Sequence, residues 1–268
     1  MERTHGGAGP AFGEERRHLS YGGYLKIPEL LSCQQLLSQP PAHDELLFII
    51  VHQAYELWFK QLLFELDRVR DLMIDGDAHL AKHLLERVHT IERVMITQVA
   101  VIESMSPQDF LEFRQHLAPA SGFQSVQFRE VEFLSGLKDE AYMERLALTG
   151  EEEVRLRARL EGPTLWDGFC ALLEKRGLPM PADDEEARRE SLLAVARDRR
   201  LHADVFYLSE ALVTHDELFA LWRQHHVLMV ERQIGAKTGT GGSTGVGYLS
   251  TTLIKRFFPE LWSLRSYL

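Results

Sequence analysis

Residues 43–67 read HDELLFIIVHQAYELWFKQLLFELD, and no other stretch of the chain restricts the fold as tightly. At helical spacing the run is apolar nearly all round, with Leu46, Leu47, Phe48, Ile49, Ile50, Val51, Leu57, Trp58, Phe59, Leu62 and Leu63 leaving little polar face. Such a helix belongs in the middle of a protein, so the fold must be built around it. Its continuous apolar core, residues 46–51, is far short of the roughly 20 residues that cross a bilayer, and a soluble protein is expected. His52 sits inside this run either as a hydrogen-bonded core residue or as part of a site.

Helical periods continue through the rest of the chain, without a convincing set of alternating strands. A short helix is expected over 24–39, ended by Pro40-Pro41, and the long one runs from about 45 to 71. After the Asp75-Gly76-Asp77 turn, 79–103 forms a second long helix, which a short connection forces antiparallel to the first. Ser106-Pro107-Gln108-Asp109 supplies a hydroxyl cap, a proline at the first helical position and a carboxylate three residues on, which predicts a helix over 107–117. The third long helix covers 202–234. Between them, 138–200 is charge-rich and broken by Gly150, Gly162-Pro163 and Pro179–Pro181, which reads as a peripheral helical subregion. The fold class is therefore all-α: one helical bundle domain over 20–268, with three long core helices and a peripheral set, preceded by a mobile arm over 1–19.

Forty acidic against 30 basic residues give a formal charge of -10, with Arg interspersed among Glu, which argues against nucleic acid as a partner. The two cysteines, Cys33 and Cys170, lie too far apart to suggest a zinc site or a disulfide framework, and a reducing cytoplasm fits them. Residues 1–20 lack the apolar core of a signal peptide.

Several positions carry chemistry. On the third long helix, the apolar centroid lies roughly 20° from His226 and roughly 80° from His225, so His226 points inward, as a satisfied core imidazole or as an axial ligand over a flat macrocycle. Phe110 and Arg114 share a helical face, and Arg114 is either solvated or a partly desolvated clamp for a carboxylate. The loop Gly239–Gly245 lacks the lysine of a P-loop and follows a helix. It is a surface linker, or a backbone that approaches a ligand closely with the hydroxyls of Thr240, Ser243 and Thr244. Tyr21, Tyr24 and Leu25, around two glycines, suit oligomer contacts or core anchors. His52 and Glu56 are four apart but lack the spacing of a di-iron bundle. His83, Glu86 and His89 fall on a charged side and are expected to be solvated.

In this order, SYGGYL, HDELLFIIVHQAYELWFKQLLFEL, FRQHLAPASGFQSVQFRE, LWRQHH and KTGTGGSTGVGYL resemble the tryptophan 2,3-dioxygenases over residues 20 to about 262, with a looser likeness over 138–200. The resemblance implies an all-helical enzyme using haem b, ferrous when active. It would insert both atoms of O2 across the indole C2–C3 bond of L-tryptophan to give N-formyl-L-kynurenine. It also implies a homotetramer in which the amino-terminal segment of one subunit reaches a neighbour's active site. Carried over by position, His226 would ligate the iron, with Trp222, Ser121 and Gly122 also against the haem. His52 would be the catalytic residue facing the indole N–H. Arg114 would hold the substrate carboxylate and Thr240 its ammonium group, while Phe48, Phe110, Tyr21, Tyr24 and Leu25 would enclose the ring. Phe110 stands where some members have tyrosine, so Arg114 carries more of the carboxylate binding. A haem sensor without turnover is the alternative.

Overall fold

The computed structural model describes residues 20–241 and 245–268. Within them the elements run α1 (Tyr21–Tyr24), α2 (Ile27–Leu31), α3 (Glu45–Asp75), α4 (Ala78–Glu103), α5 (Pro107–Leu117), α6 (Val126–Ser135), α7 (Ala141–Arg145), α8 (Gly150–Glu161), α9 (Leu165–Lys175), α10 (Glu185–Arg197), α11 (Ala203–Ile234), α12 (Val246–Ser250) and α13 (Pro259–Leu264). Short 3-10 turns occupy Gly122–Gln124 and Arg265–Tyr267, and no strand occurs among the described residues. The fold is all-α. The proposed mobile arm over 1–19 lies outside the described residues, as do Ser243 and Thr244.

Local chemistry sets the helix ends. α3 stops at Gly76, whose φ of 100° is the left-handed conformation that glycine adopts without a Cβ clash, and its N–H returns to the Leu72 and Met73 carbonyls. Asp77 then accepts from the Leu80 N–H at 2.9 Å and starts α4 antiparallel to α3. Ser106 and Asp109 form a reciprocal capping box at the start of α5.

α3, α4 and α11 form the core, through Leu62, Leu66, Val69 and Met73, Leu85, Val88 and Met95, and Leu208, Leu212 and Phe219. Burying each of these large side chains stabilises the fold by about 1.5–3 kcal/mol. Mid-α11 is fastened by polar groups. Asp216 Oδ2 accepts from the Phe257 and Phe258 N–H groups at 2.8 and 3.0 Å and from Trp262 Nε1 at 2.9 Å. His215 lies between Glu92 (2.6 Å) and Ser135 (3.0 Å). Those three have the atoms of a nucleophilic triad, but all are enclosed and tie α11 to α4 and α6 instead.

Four expectations need correction. The helix expected over 24–39 is two short pieces, because Lys26 adopts a φ of 53° between them and the Ser32 hydroxyl closes onto the Glu29 carbonyl. Residues 33–38 then run without helix, and the Leu37 and Ser38 N–H groups donate to the buried Glu45 carboxylate at 2.7 and 3.0 Å. α3 is not covered all round: Leu46, Ile50, Leu57 and Phe64 form an exposed stripe, with Phe64 at 73 % exposure. His89 is not solvated but buried, its Nε2–H donating to the Ala211 carbonyl at 2.9 Å. Within 138–200, α9 is no peripheral element, since Leu165, Phe169, Leu172 and Leu173 join the main core against α3.

Candidate active site

A cavity is lined by α3, α5, the turn at Ser121–Phe123, the carboxyl-terminal half of α11, and Gly239, Thr240 and Gly245 of the glycine-rich loop. Phe48, His52 and Glu56 enter it from α3 on successive turns, because residues four apart on a helix share a face. Phe110 and Arg114 enter from α5 by the same spacing, and Trp222 and His226 from α11. Ser121, Gly122 and Thr240 lie along the rim. Nine of the positions singled out in the sequence therefore share one cavity: Phe48, His52, Phe110, Arg114, Ser121, Gly122, Trp222, His226 and Thr240. Tyr21, Tyr24 and Leu25 do not line it and stand exposed on α1 and just beyond it.

Of the two readings open for His52, the structure favours the second: its imidazole opens into the cavity instead of the core. Its Nδ1 lies 2.7 Å from the Phe48 carbonyl oxygen, which can only accept, so Nδ1 carries the proton. Nε2 is left as an acceptor whenever the ring is neutral. Enclosure by the cavity walls holds the imidazole pKa below its usual value, although the Phe48 hydrogen bond and the charge of Glu56 pull it back up. The Phe48 ring lies 4.0 Å from the His52 ring, with Phe110 and Phe113 at 5.8 and 5.6 Å from Phe48.

His226 lies flat against Trp222, with centroids 5.3 Å apart and planes within 13°. Desolvation, with a smaller contribution from His52, pushes its pKa down to about 4, so the ring is neutral and has a lone pair to offer at any ordinary pH. His225, its neighbour, is exposed.

At the rim, Arg114 Nη2 donates to the Thr238 carbonyl, while its buried Nε has no partner among the described residues. The Thr240 hydroxyl donates to the Ala120 carbonyl at 2.7 Å, which leaves its oxygen lone pairs free to accept. Gly241 packs so closely that a Cβ there would lie 2.7 Å from Ser121 Cβ, whereas a Cβ on Gly122 would meet nothing within 4 Å. Gly241 thus packs on Ser121, and open space remains beside Gly122.

Four further charged side chains line the cavity that sequence reasoning did not assign: Glu56, Arg129, Glu132 and Arg223. Glu56 accepts from Gln127 Nε2 at 2.8 Å. Its four-residue offset from His52, like the three-residue offset of Arg223 from His226, is the only signal the sequence held. As a whole the cavity is a greasy slot with neutral imidazoles on two walls and a partly unpaired guanidinium at its mouth, suited to a flat apolar ligand bearing a carboxylate.

The family model described as tryptophan 2,3-dioxygenase matches residues 8–168 and 185–268, and the unmatched stretch falls within the segment where the likeness was loose. The chain is 57 % identical over 263 residues to the tryptophan 2,3-dioxygenase of Nocardioides sp., covering 96 % of this chain and 98 % of that one. It is 45 % identical to the protein of the same name from Herpetosiphon aurantiacus (92 % and 98 % covered) and 42 % identical to that of Caulobacter vibrioides (93 % and 98 %). With the match running through both halves of the helical bundle and every wall of the cavity, the chain belongs to the tryptophan 2,3-dioxygenase family.

Proposed function

We propose that the chain catalyses the reaction its family is named for: oxidation of L-tryptophan by O2, with both oxygen atoms entering across the indole C2–C3 bond to give N-formyl-L-kynurenine. The observation that carries this reading is the meeting of three groups in one apolar cavity: a neutral imidazole on α11, an acceptor imidazole on α3, and an arginine at the rim.

The donor set fits haem b. Among the described residues no group of three His, Cys, Asp or Glu side chains could hold a bare metal ion. A single neutral imidazole in an aromatic, enclosed slot suits iron whose other ligands arrive with a porphyrin. His226 would ligate the haem iron, Trp222 would fix the plane of its imidazole, and Ser121 and Gly122 would stand against the porphyrin, with open space beside Gly122. When bound, ferrous haem supplies the activation of O2 that no amino-acid side chain provides.

The chain's own residues bind and orient. Arg114 exchanges the Thr238 carbonyl for the substrate carboxylate, and its unpaired Nε adds a second donor toward the same anion. Thr240 Oγ1, its hydrogen already committed to Ala120, accepts from the ammonium group. Phe48 and Phe110 wall the indole, whose N–H meets His52 Nε2. Indole N–H is far too weak an acid for an imidazole to deprotonate readily, so His52 orients the substrate and is not an indispensable base. Gly241, packed on Ser121, would help keep water from the reacting faces.

Tyr21, Tyr24 and Leu25 belong to this scheme only if they serve another subunit's cavity, and their exposure supports that arrangement. The apolar stripe on α3 supports a homotetramer in the same way. No helix among the described residues is long and apolar enough to cross a membrane, in keeping with a cytoplasmic enzyme.

The test is to load the full chain with hemin, reduce it, and add L-tryptophan and O2. A Soret band that His226→Ala abolishes, with growth of N-formylkynurenine absorbance, is the expected result. A Soret band without product would favour the haem sensor, and no band would overturn both readings.

A further inference from the structure

Three of the unassigned cavity residues form one buried cluster. Arg129, Glu132 and Arg223 are 5, 2 and 3 % exposed. Glu132 accepts with both oxygens, from Arg129 Nη1 on its own helix at 2.6 Å and from Arg223 Nη2 on α11 at 2.8 Å. Arg129 lies over the rings of Tyr142 (4.1 Å) and Phe128 (4.8 Å), and Arg223 over Phe219 (4.9 Å). Two cations share one anion, and Arg129 Nε with Arg223 Nε and Nη1 find no acceptor among the described residues. Apolar side chains of similar volume would commonly be no less stable at such a place, so stability alone does not account for the cluster.

Its position suggests what does. Arg223 precedes His226 by one turn of α11. Trp222, next to Arg223 in the chain and stacked on His226, packs against Phe128 at 5.4 Å and Phe219 at 5.8 Å, the rings that the two guanidiniums cover. Carboxylate, guanidiniums, rings and imidazole are thus one continuous packed series running from α6 to α11.

We infer that Glu132 is a positioning residue for His226: gripping both guanidiniums, it fixes the rotation of α11 and the plane of Trp222 against which the imidazole lies, and its charge offsets two cations near the iron. The inference rests on the proposed role of His226 as axial ligand. Without the Glu132 charge the two guanidiniums disfavour the extra positive charge of ferric iron, so the midpoint potential rises.

The experiment uses the full chain loaded with hemin and the variant Glu132→Gln, which keeps the shape and removes the charge. Readouts are the iron–histidine stretching band of the ferrous protein, the rate of hemin loss to excess apomyoglobin, the midpoint potential, and KM for L-tryptophan. Expected are a shifted band, hemin loss faster by about tenfold, a more positive midpoint and an unchanged KM. A folded variant with wild-type band, rate and midpoint overturns the inference. Should Glu132→Gln not fold, Arg223→Lys keeps the charge and shortens the reach. It should shift the band and speed hemin loss with the midpoint unmoved, and wild-type values there overturn the inference equally. His226→Ala is measured alongside. A wild-type protein without an iron–histidine band, or a band that survives His226→Ala, defeats the assignment of His226 and the inference with it, whereas a His226 band indifferent to Glu132 defeats only the positioning role.

Discussion

At position 52 the proposed role of the side chain follows from where its proton sits. With Nδ1 donating to the Phe48 carbonyl, Nε2 offers a lone pair to an indole N–H and little else. His52→Ala should therefore lower kcat/KM by roughly tenfold, the worth of one hydrogen bond, and leave measurable turnover; total loss with hemin and substrate affinity intact would make His52 a base after all. Arg114→Ala should act on binding, raising KM for L-tryptophan by roughly a hundredfold with a smaller change in kcat, since a charge-assisted pair is removed. Steady-state kinetics on both variants distinguish these effects. A third residue sets a pH dependence. Burial, aided by the charge of His215, holds the His89 pKa down at about 4 from 6.5. The unfolded chain takes up a proton there that the fold refuses, so stability from this group is fully present above pH 6.5 and falls as pH drops toward 4, by up to about 3 kcal/mol. Denaturant titrations from pH 7 to 4 should show that slope, and His89→Gln should flatten it.

Among the elements, those with strong punctuation were legible in the sequence. α3 and α4 meet at Gly76 because only a left-handed residue closes that turn, and α5 begins where a hydroxyl, a proline and a carboxylate stand in capping register. The stretch after α2 was not legible, since its path depends on Glu45, a residue that looks like an ordinary helix start until Leu37 and Ser38 are seen donating to it. Glu45→Ala leaves two N–H groups without their acceptor and should cost about 2 kcal/mol in chemical denaturation. The cluster around Glu132 was equally hidden, because Arg129, Glu132 and Arg223 converge only when α6 packs beside α11. The glycine-rich loop was visible in composition, but the packing of its Gly241 on Ser121 was not. Gly241→Ala should push it off Ser121 and raise KM for L-tryptophan, with thermal stability nearly unchanged.

For the whole molecule, the apolar excess of α3 correctly announced a helix at the centre, yet periodicity could not say that one side would lie outside the single chain. Inner and outer apolar faces look alike in a run this greasy. If the proposed homotetramer uses this stripe, Leu57→Glu combined with Phe64→Glu should give smaller species by light scattering, with lower activity where neighbouring subunits complete each cavity. The stripe has a further result for handling and for life in a cell. Leu46, Ile50, Leu57 and Phe64 are wetted whenever a chain stands alone, so a newly made copy resembles a partly denatured one to anything that surveys surfaces for grease. If the proposed homotetramer covers the stripe, survival depends on how soon a copy meets its own kind, and sparse expression should shorten its lifetime more than its melting temperature would suggest.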